Sequence, residues 1–158
     1  MASAAFTVPD ADAMQALGAS LARALPSRST AVLHLSGDLG AGKTTLVRGF
    51  LAALGHSGRV KSPTYTLIET YELDHRTAHH LDLYRLKTPE EAEGLGLRDL
   101  EGIVLIEWPE KGAGHLPAAD LLVRLSHLGQ GHEGEGRSAA LEAVTVCGRQ
   151  LVEKIGPR

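Results

Sequence analysis

The sequence predicts a single layered α/β domain over residues 1–158, in which helices cover a mixed parallel and antiparallel sheet in an αβα arrangement. Strand-like and helix-like segments interleave along the whole chain, as expected when strands are joined through helices. Two β-rich runs separated by Asp74-His75 have the pattern of a hairpin, which adds an antiparallel pair. No proline-rich or charged linker divides the 158 residues, a length that suits one core.

The first half of the chain is predicted to form a helix, a strand, a glycine-rich loop and a second helix. Asp10 is placed to cap the first helix, and Pro26 follows its end. Residues 31–35 (AVLHL) form a short apolar strand, and Gly55 closes the helix that follows the loop. The apolar residues at helical spacing are Met14, Leu17, Leu21 and Leu25 in the first helix, and Leu46, Phe50 and Leu54 in the second.

The second half begins with the hairpin runs TLIETYEL and RTAHHLDLYRL. Thr88 is expected to cap a helix, with Pro89 at its first position and Glu91 completing a capping box. The continuous apolar run GIVLIEW predicts a strand buried on both faces. Two further strands, DLLVRLSHL and SAALEAVTV, flank the glycine-rich residues 129–137, a candidate mobile loop, and RQLVEKI predicts a closing helix.

Charge and cysteine content narrow the class of protein. The formal net charge of −3 gives no broad attraction to DNA, to RNA or to an anionic membrane, so contact with RNA is expected to be indirect or local. Cys147, the only cysteine, lies in AVTVCG and is interpreted as a small buried hydrophobe. The first residues show neither a secretory leader nor a membrane span. We therefore expect a cytoplasmic protein.

The loop between the first strand and the second helix carries the clearest chemical signal. Gly37-x-x-x-x-Gly42-Lys43-Thr44 matches the phosphate-binding P-loop pattern. Glycines let successive backbone N–H groups turn toward an anion, and the helix that follows offers its positive end. Lys43 can reach outer phosphates, and the Thr44 hydroxyl can bind magnesium. A chance glycine-rich turn is the alternative, but the flanking strand and helix favour a P-loop NTPase-like domain that binds nucleotide.

Hydrolysis needs further groups beyond this loop. Glu107 ends the buried apolar run, so it lies at the sheet edge where ligands of open α/β sheets gather. Asp82 alternates with Leu81 and Leu83 and faces the opposite side. Both are candidates for metal binding or catalysis, with surface carboxylates as the alternative. Thr64, in KSPTYTL, either offers a hydroxyl to metal or water or lies in a loop whose Ser-Pro simply starts a strand. Trp108 either belongs to the core or borders the nucleotide or a partner surface.

The motifs together resemble the bacterial TsaE family. GDLGAGKTTLVRGFL, VKSPTYTLIETY, HHLDLYRL, LRDL and VLIEWPEKG occur in that family's order and spacing, and the resemblance covers nearly the whole chain. It implies an ATPase that uses ATP and Mg²⁺ and helps to form threonylcarbamoyladenosine in tRNAs that read codons beginning with A. The implied partners are TsaD and TsaB, whose assembly performs the transfer and contacts the tRNA. Hydrolysis is expected to be weak without them.

The resemblance also assigns roles to individual residues. Thr44 and Glu107 correspond to magnesium ligands, and Asp82 to an acidic residue needed for hydrolysis. Thr64 and Tyr65 correspond to a first switch segment. The implied catalytic set is Lys43, Thr64, Asp82 and Glu107. The implied nucleotide-binding set is Ala11, Gly40, Ala41, Gly42, Lys43, Thr44, Thr45, Trp108 and Arg137.

Three other functions remain open on the same scaffold. A small-molecule kinase needs an acceptor pocket and usually a basic lid, whereas residues 129–137 hold one arginine beside two glutamates. A GTP-operated switch needs a guanine-reading Asn-Lys-x-Asp segment, and none follows the loop. An assembly factor that binds nucleotide without hydrolysing it is the third alternative.

Overall fold

The computed structural model describes residues 2–27, 30–63, 65–128 and 136–156. Within these parts of the chain, seven strands form one sheet in the order β1-β7-β6-β2-β5-β4-β3. The strands are β1 Ser3–Val8, β2 Ala31–Ser36, β3 Ile68–Leu73, β4 Arg76–Asp82, β5 Ile103–Glu107, β6 Leu121–His127 and β7 Arg137–Ala143. The α-helices are α1 Ala11–Ala24, α2 Lys43–Ala53 and α3 Val146–Ile155, and 3₁₀ helices span Pro89–Leu95, Leu97–Asp99 and Pro109–Gly112.

The pairing of the strands confirms a mixed sheet. β2 is parallel to both β5 and β6, and β5 is parallel to β4. The pairs β1–β7, β6–β7 and β3–β4 are antiparallel. The parallel strands β4, β5 and β2 therefore end at one edge of the sheet, which is where open α/β sheets place their ligands.

The core lies on both faces of the sheet, and β5 shows the division most clearly. All five of its residues are buried. Ile103 and Leu105 belong to the larger apolar cluster, which includes buried residues of all three α-helices. Val104 and Ile106 belong to a smaller cluster with Leu83 and residues of the 3₁₀ helices Pro89–Leu95 and Leu97–Asp99. The α/β class is confirmed, with 3₁₀ helices rather than α-helices as the layer on the second face.

Several local predictions are confirmed. The Asp10 side chain accepts a hydrogen bond from the Ala13 N–H at 2.8 Å and caps α1. β3 and β4 form the predicted hairpin, in which His75 takes a left-handed φ of 61°. Gly55 follows the end of α2 with a φ of 101°, a conformation that favours glycine.

Two predictions about chain ends are incomplete. The sequence pattern does not predict β1, whose short Ala-rich segment becomes a strand by pairing with β7. β7 ends at Ala143, and the Thr145 hydroxyl accepts from the Gly148 N–H at 3.2 Å, so α3 begins before the predicted RQLVEKI. Cys147, interpreted as a small buried hydrophobe, lies in the first turn of α3, where it is partly buried and packs against the larger apolar cluster.

The capping box predicted at Thr88 is also wrong. Residues Pro89–Leu95 form a 3₁₀ helix, and the Thr88 side chain makes no capping hydrogen bond. The Glu91 carboxylate accepts from the Lys87 N–H at 3.4 Å instead of from Thr88. A 3₁₀ helix places its donors differently from an α-helix, so the spacing of the motif no longer brings the two side chains to the expected amides. The predicted mobile loop 129–137 lies, except for its last two residues, outside the described residues.

None of the helices in the described parts of the chain combines the length and the apolar character needed to cross a membrane.

Candidate functional site

Residues 37–44, here called the glycine loop, connect the carboxyl end of β2 to the amino end of α2. Gly37 and Gly42 have φ values of 150° and 110°. A Cβ on Gly42 would lie 2.8 Å from Met14 Cε, and one on Gly37 would lie 2.5 Å from the Leu125 carbonyl oxygen. Both positions therefore favour glycine for backbone conformation, and Gly37 requires it for close packing as well, because the Leu125 carbonyl oxygen is backbone and cannot rotate aside as the Met14 side chain can.

The Lys43 side chain is folded back over the glycine loop and is buried. Its ammonium donates hydrogen bonds to the carbonyl oxygens of Gly37 and, at 3.1 Å, Asp38. Nζ also lies 4.3 Å from the centre of the Trp108 ring, a cation–π distance. Burial lowers the pKa of Lys43, while the negative charges of Glu107 and other nearby carboxylates act in the opposite direction. The fold thus keeps the positive charge of Lys43 beside the loop, although burying this charge costs folding free energy.

Lys43→Met should raise the melting temperature of the nucleotide-free protein. The lowered pKa means that folding disfavours the charged ammonium, and methionine keeps an unbranched stem without the charge. We expect a gain of about 2–4 °C, corresponding to ~1 kcal/mol. Because the folded protein binds fewer protons here than the unfolded chain, wild-type stability rises with pH between the two pKa values. The difference in melting temperature between Lys43→Met and the wild type should therefore be smaller in alkaline buffer.

Thermal unfolding without nucleotide, at neutral pH and at about pH 9.5, measures this effect. The exposed Lys87 provides the control, since Lys87→Met should leave the melting temperature nearly unchanged. A lower melting temperature for Lys43→Met at both pH values would contradict the prediction.

Glu107, Thr44 and Asp82 meet where β4 and β5 end. The Glu107 carboxylate is 3% exposed, and the Thr44 hydroxyl lies 2.9 Å from its Oε2 and 3.2 Å from its Oε1. Asp82 is paired with Glu107 in the β4–β5 register and is also buried. Its Oδ1 accepts from the Tyr84 N–H at 2.9 Å. Two carboxylates, one hydroxyl and the Lys43 ammonium thus occupy one end of the sheet.

His80 is a site residue that the sequence reasoning missed. It is fully buried on β4, and its Nε2 lies 2.5 Å from Glu107 Oε2. Its neighbour His79 faces the opposite side of the sheet, as adjacent strand residues do, and contacts Thr70 and the Glu101 carbonyl oxygen. The available signal was the two-residue spacing to Asp82, which places His80 on the face of the sheet that carries the site.

Trp108 follows Glu107 and takes a left-handed conformation with φ 58° and ψ 50°. Its backbone N–H donates to the Leu35 carbonyl oxygen at 3.2 Å, and the centre of its ring lies 4.9 Å from the centre of the Tyr84 ring. The strained backbone turns the indole toward Lys43, so Trp108 borders the site as well as packing on the smaller apolar cluster.

The structure brings Ala11 and Arg137, distant in sequence, to the tip of the glycine loop. The Arg137 guanidinium donates from Nε and Nη2 to the Gly40 carbonyl oxygen at 3.2 and 3.0 Å. Across the β6–β7 register, the His127 ring lies 3.2 Å from the Leu39 carbonyl oxygen. A recess of about 130 Å³ lies beside the loop tip; it is lined by Asp10, Ala11, Met14, Gly40, Gly42, Thr45 and Arg137.

Thr64 lies outside the described residues, while Tyr65, the next residue, is 82% exposed, with the Arg85 guanidinium 4.1 Å above its ring.

A second cavity, of about 240 Å³, is lined by most of the predicted site residues. A larger cavity of about 460 Å³ opens near Gly102, before β5, and contains none of the predicted residues. The lining of the 240 Å³ cavity is Leu39 to Thr45, Ser62, Asp82, Glu107 and Trp108.

The donors in this cavity fit a magnesium ion. Thr44 and Glu107 supply a hydroxyl and a carboxylate, which are the hard oxygen ligands that Mg²⁺ prefers, and their oxygen atoms already lie within 3.2 Å of one another. The buried Glu107 carboxylate also interacts electrostatically with the Lys43 ammonium, and its Oε2 lies 2.5 Å from His80 Nε2. Mg²⁺ bound here would keep several waters and take its remaining ligands from phosphate.

Comparisons with known proteins agree with these features. A family model described as threonylcarbamoyl adenosine biosynthesis protein TsaE matches residues 8–136. The chain is 44% identical over 151 residues to the Haemophilus influenzae protein named tRNA threonylcarbamoyladenosine biosynthesis protein TsaE, covering 92% of each chain. It is 41% identical over 112 residues to a Synechocystis protein of the same name, covering 67% of this chain and 70% of that one.

A solved structure supports the same grouping. The crystal structure of YdiB from Bacillus subtilis is similar to this fold with a TM-score of 0.75 and 27% identity, covering 97% of this chain and 93% of that one. The sheet order, the glycine loop and these matches describe a P-loop NTPase-like fold. The chain belongs to the TsaE family of tRNA threonylcarbamoyladenosine biosynthesis proteins.

Proposed function

We propose that this chain binds ATP with Mg²⁺ on its glycine loop and hydrolyses it. The observation that carries the proposal is the contact between the Thr44 hydroxyl and the buried Glu107 carboxylate, 2.9 Å apart, directly beside Lys43. A hydroxyl, a carboxylate and a lysine at the amino end of a helix form the set that phosphoryl transfer on a P-loop requires.

Each residue has a definite task in this proposal. The backbone N–H groups of the glycine loop and the positive end of α2 bind the phosphates. The Lys43 ammonium turns from its carbonyl partners in the loop to the outer phosphates. Thr44 and Glu107 hold Mg²⁺, which neutralises charge on the phosphates. Asp82 and residues 62–67 position the attacking water, and Trp108 borders the nucleotide.

We further propose that the ATPase supports threonylcarbamoyl transfer to tRNA by the TsaD–TsaB complex, which contacts the tRNA. Membership of the TsaE family supports a role in this pathway. Tyr65 follows the cavity-lining Ser62 by three residues and is exposed, with the Arg85 guanidinium over its ring, which supports contact with a partner through this segment. Tyrosine and arginine are enriched among residues that carry protein–protein binding energy. A cytoplasmic location stays a prediction.

Phosphate release with and without TsaD and TsaB tests the proposal, with tRNA modification as a second readout. Lys43→Ala should remove ATP turnover and tRNA modification, because the loop then lacks its only phosphate-binding ammonium, whereas the exposed Lys87→Ala should keep both. Unchanged turnover in Lys43→Ala would exclude the site. Phosphoryl transfer to a metabolite with little free phosphate would instead support the small-molecule kinase.

A further inference from the structure

His80 contacts the Glu107 carboxylate from the core side of the site. Ala78, His80 and Asp82 alternate along β4 on the face of the sheet covered by α2, and Asp82 is paired with Glu107 on β5. His80 therefore lies one residue pair deeper in the core than the two carboxylates. It is 0% exposed, which is rare for a histidine without a specific partner.

The contact with His80 decides how the Glu107 carboxylate is held. A carboxylate only accepts hydrogen bonds, so His80 Nε2–H donates to Oε2, across 2.5 Å. The Thr44 hydroxyl also lies closest to Oε2, at 2.9 Å, and is 3.2 Å from Oε1. Two donors on Oε2 fix the rotation of the carboxylate and leave Oε1 with the single longer contact among the described residues.

A packing role alone does not explain this histidine. Its other ring nitrogen, Nδ1, is buried, and within the described residues no hydrogen-bond partner contacts it. A buried polar atom without a partner costs free energy that a leucine of similar size would not incur. The imidazole is thus retained at a cost in stability, and the group that benefits is the one it contacts, Glu107.

We infer that His80 is a positioning residue, which holds the Glu107 carboxylate in the orientation that receives a divalent cation together with Thr44. This inference rests on the proposed function. Histidine and carboxylate partners behind metal ligands typically account for a 10–100-fold effect on metal affinity. Substitution of His80 should therefore reduce the part of the nucleotide affinity that depends on Mg²⁺. The affinity measured without Mg²⁺ should stay unchanged.

The test is calorimetric binding of the ATP analogue AMP-PNP in Mg²⁺ and, separately, in EDTA. His80→Leu removes the donor while filling the space, and His80→Gln keeps an N–H at the ε position. His79→Leu is the matched control, because His79 is the neighbouring residue on the opposite face, where it contacts Thr70 and the Glu101 carbonyl oxygen at 2.9 and 2.8 Å. Melting temperatures confirm that each variant folds.

For His80→Leu we expect the gain in AMP-PNP affinity caused by Mg²⁺ to fall by about tenfold, with affinity in EDTA within about twofold of wild type. His80→Gln and His79→Leu should retain the wild-type gain. An undiminished gain in His80→Leu, or equal losses in Mg²⁺ and EDTA, would overturn the inference alone. Failure of the wild-type chain to bind AMP-PNP would overturn the proposed function and this inference with it.

Discussion

Glu107→Gln should reduce ATP turnover at least about a hundredfold in the presence of TsaD and TsaB. Glutamine has nearly the same shape and can still accept from the Thr44 hydroxyl, so the substitution removes the negative charge while preserving the packing. A bound metal ion contributes several kcal/mol of transition-state stabilisation, which weaker metal binding would forfeit, and ~2.7 kcal/mol corresponds to a hundredfold change in rate. Phosphate release over a range of Mg²⁺ concentrations measures the loss.

Glu110→Gln is the matched control for this prediction. Glu110 follows three residues later, in the 3₁₀ helix Pro109–Gly112, and is exposed, so loss of its charge should change turnover by less than about twofold. Near-normal turnover in Glu107→Gln would contradict the assignment of Glu107 as a metal ligand. Equal losses in the two variants would indicate a general effect of negative charge near the site.

Gly49→Ala should destabilise the fold by about 3 kcal/mol, lowering the melting temperature by about 6–12 °C. Helices α1 and α2 contact through reciprocal glycines: a Cβ on Gly49 would lie 2.0 Å from the Gln15 carbonyl oxygen, and one on Gly18 would lie 2.0 Å from the Leu46 carbonyl oxygen. Backbone atoms cannot rotate aside, so the helices must separate. The helix-propensity gain of alanine, about 1 kcal/mol, is too small to offset this.

Gly94→Ala is the control for Gly49→Ala. A Cβ on Gly94 would meet no atom within 4 Å, and the residue lies on the other side of the sheet in a 3₁₀ helix. We expect its melting temperature to remain within about 2 °C of wild type. Urea or thermal unfolding of both variants measures the difference. Equal stability of Gly49→Ala and wild type would show that α1 and α2 can move apart without loss of core packing.

Local sequence patterns were sufficient to predict the helices and strands whose apolar residues recur at regular spacing. The apolar spacing in α1 and α2, the Asp10 cap and the fully buried strand β5 all follow from short stretches of sequence. β1 could not be predicted in this way, because Ser3–Val8 becomes a strand only through its pairing with β7, which lies near the other end of the chain. The 3₁₀ geometry after Thr88 is likewise decided by packing against the sheet.

The glycine loop, its lysine and threonine, and the carboxylate that ends β5 could be identified from the chain alone, because each depends on residue type and spacing within a few residues. The distant groups that join them could be found only from the packing of the strands. It set His80 behind Glu107 through the register of β4 on β5, and Arg137 against the Gly40 carbonyl through the β6–β7 hairpin. Strand register is a relation between segments far apart in the chain, so no local pattern specifies it.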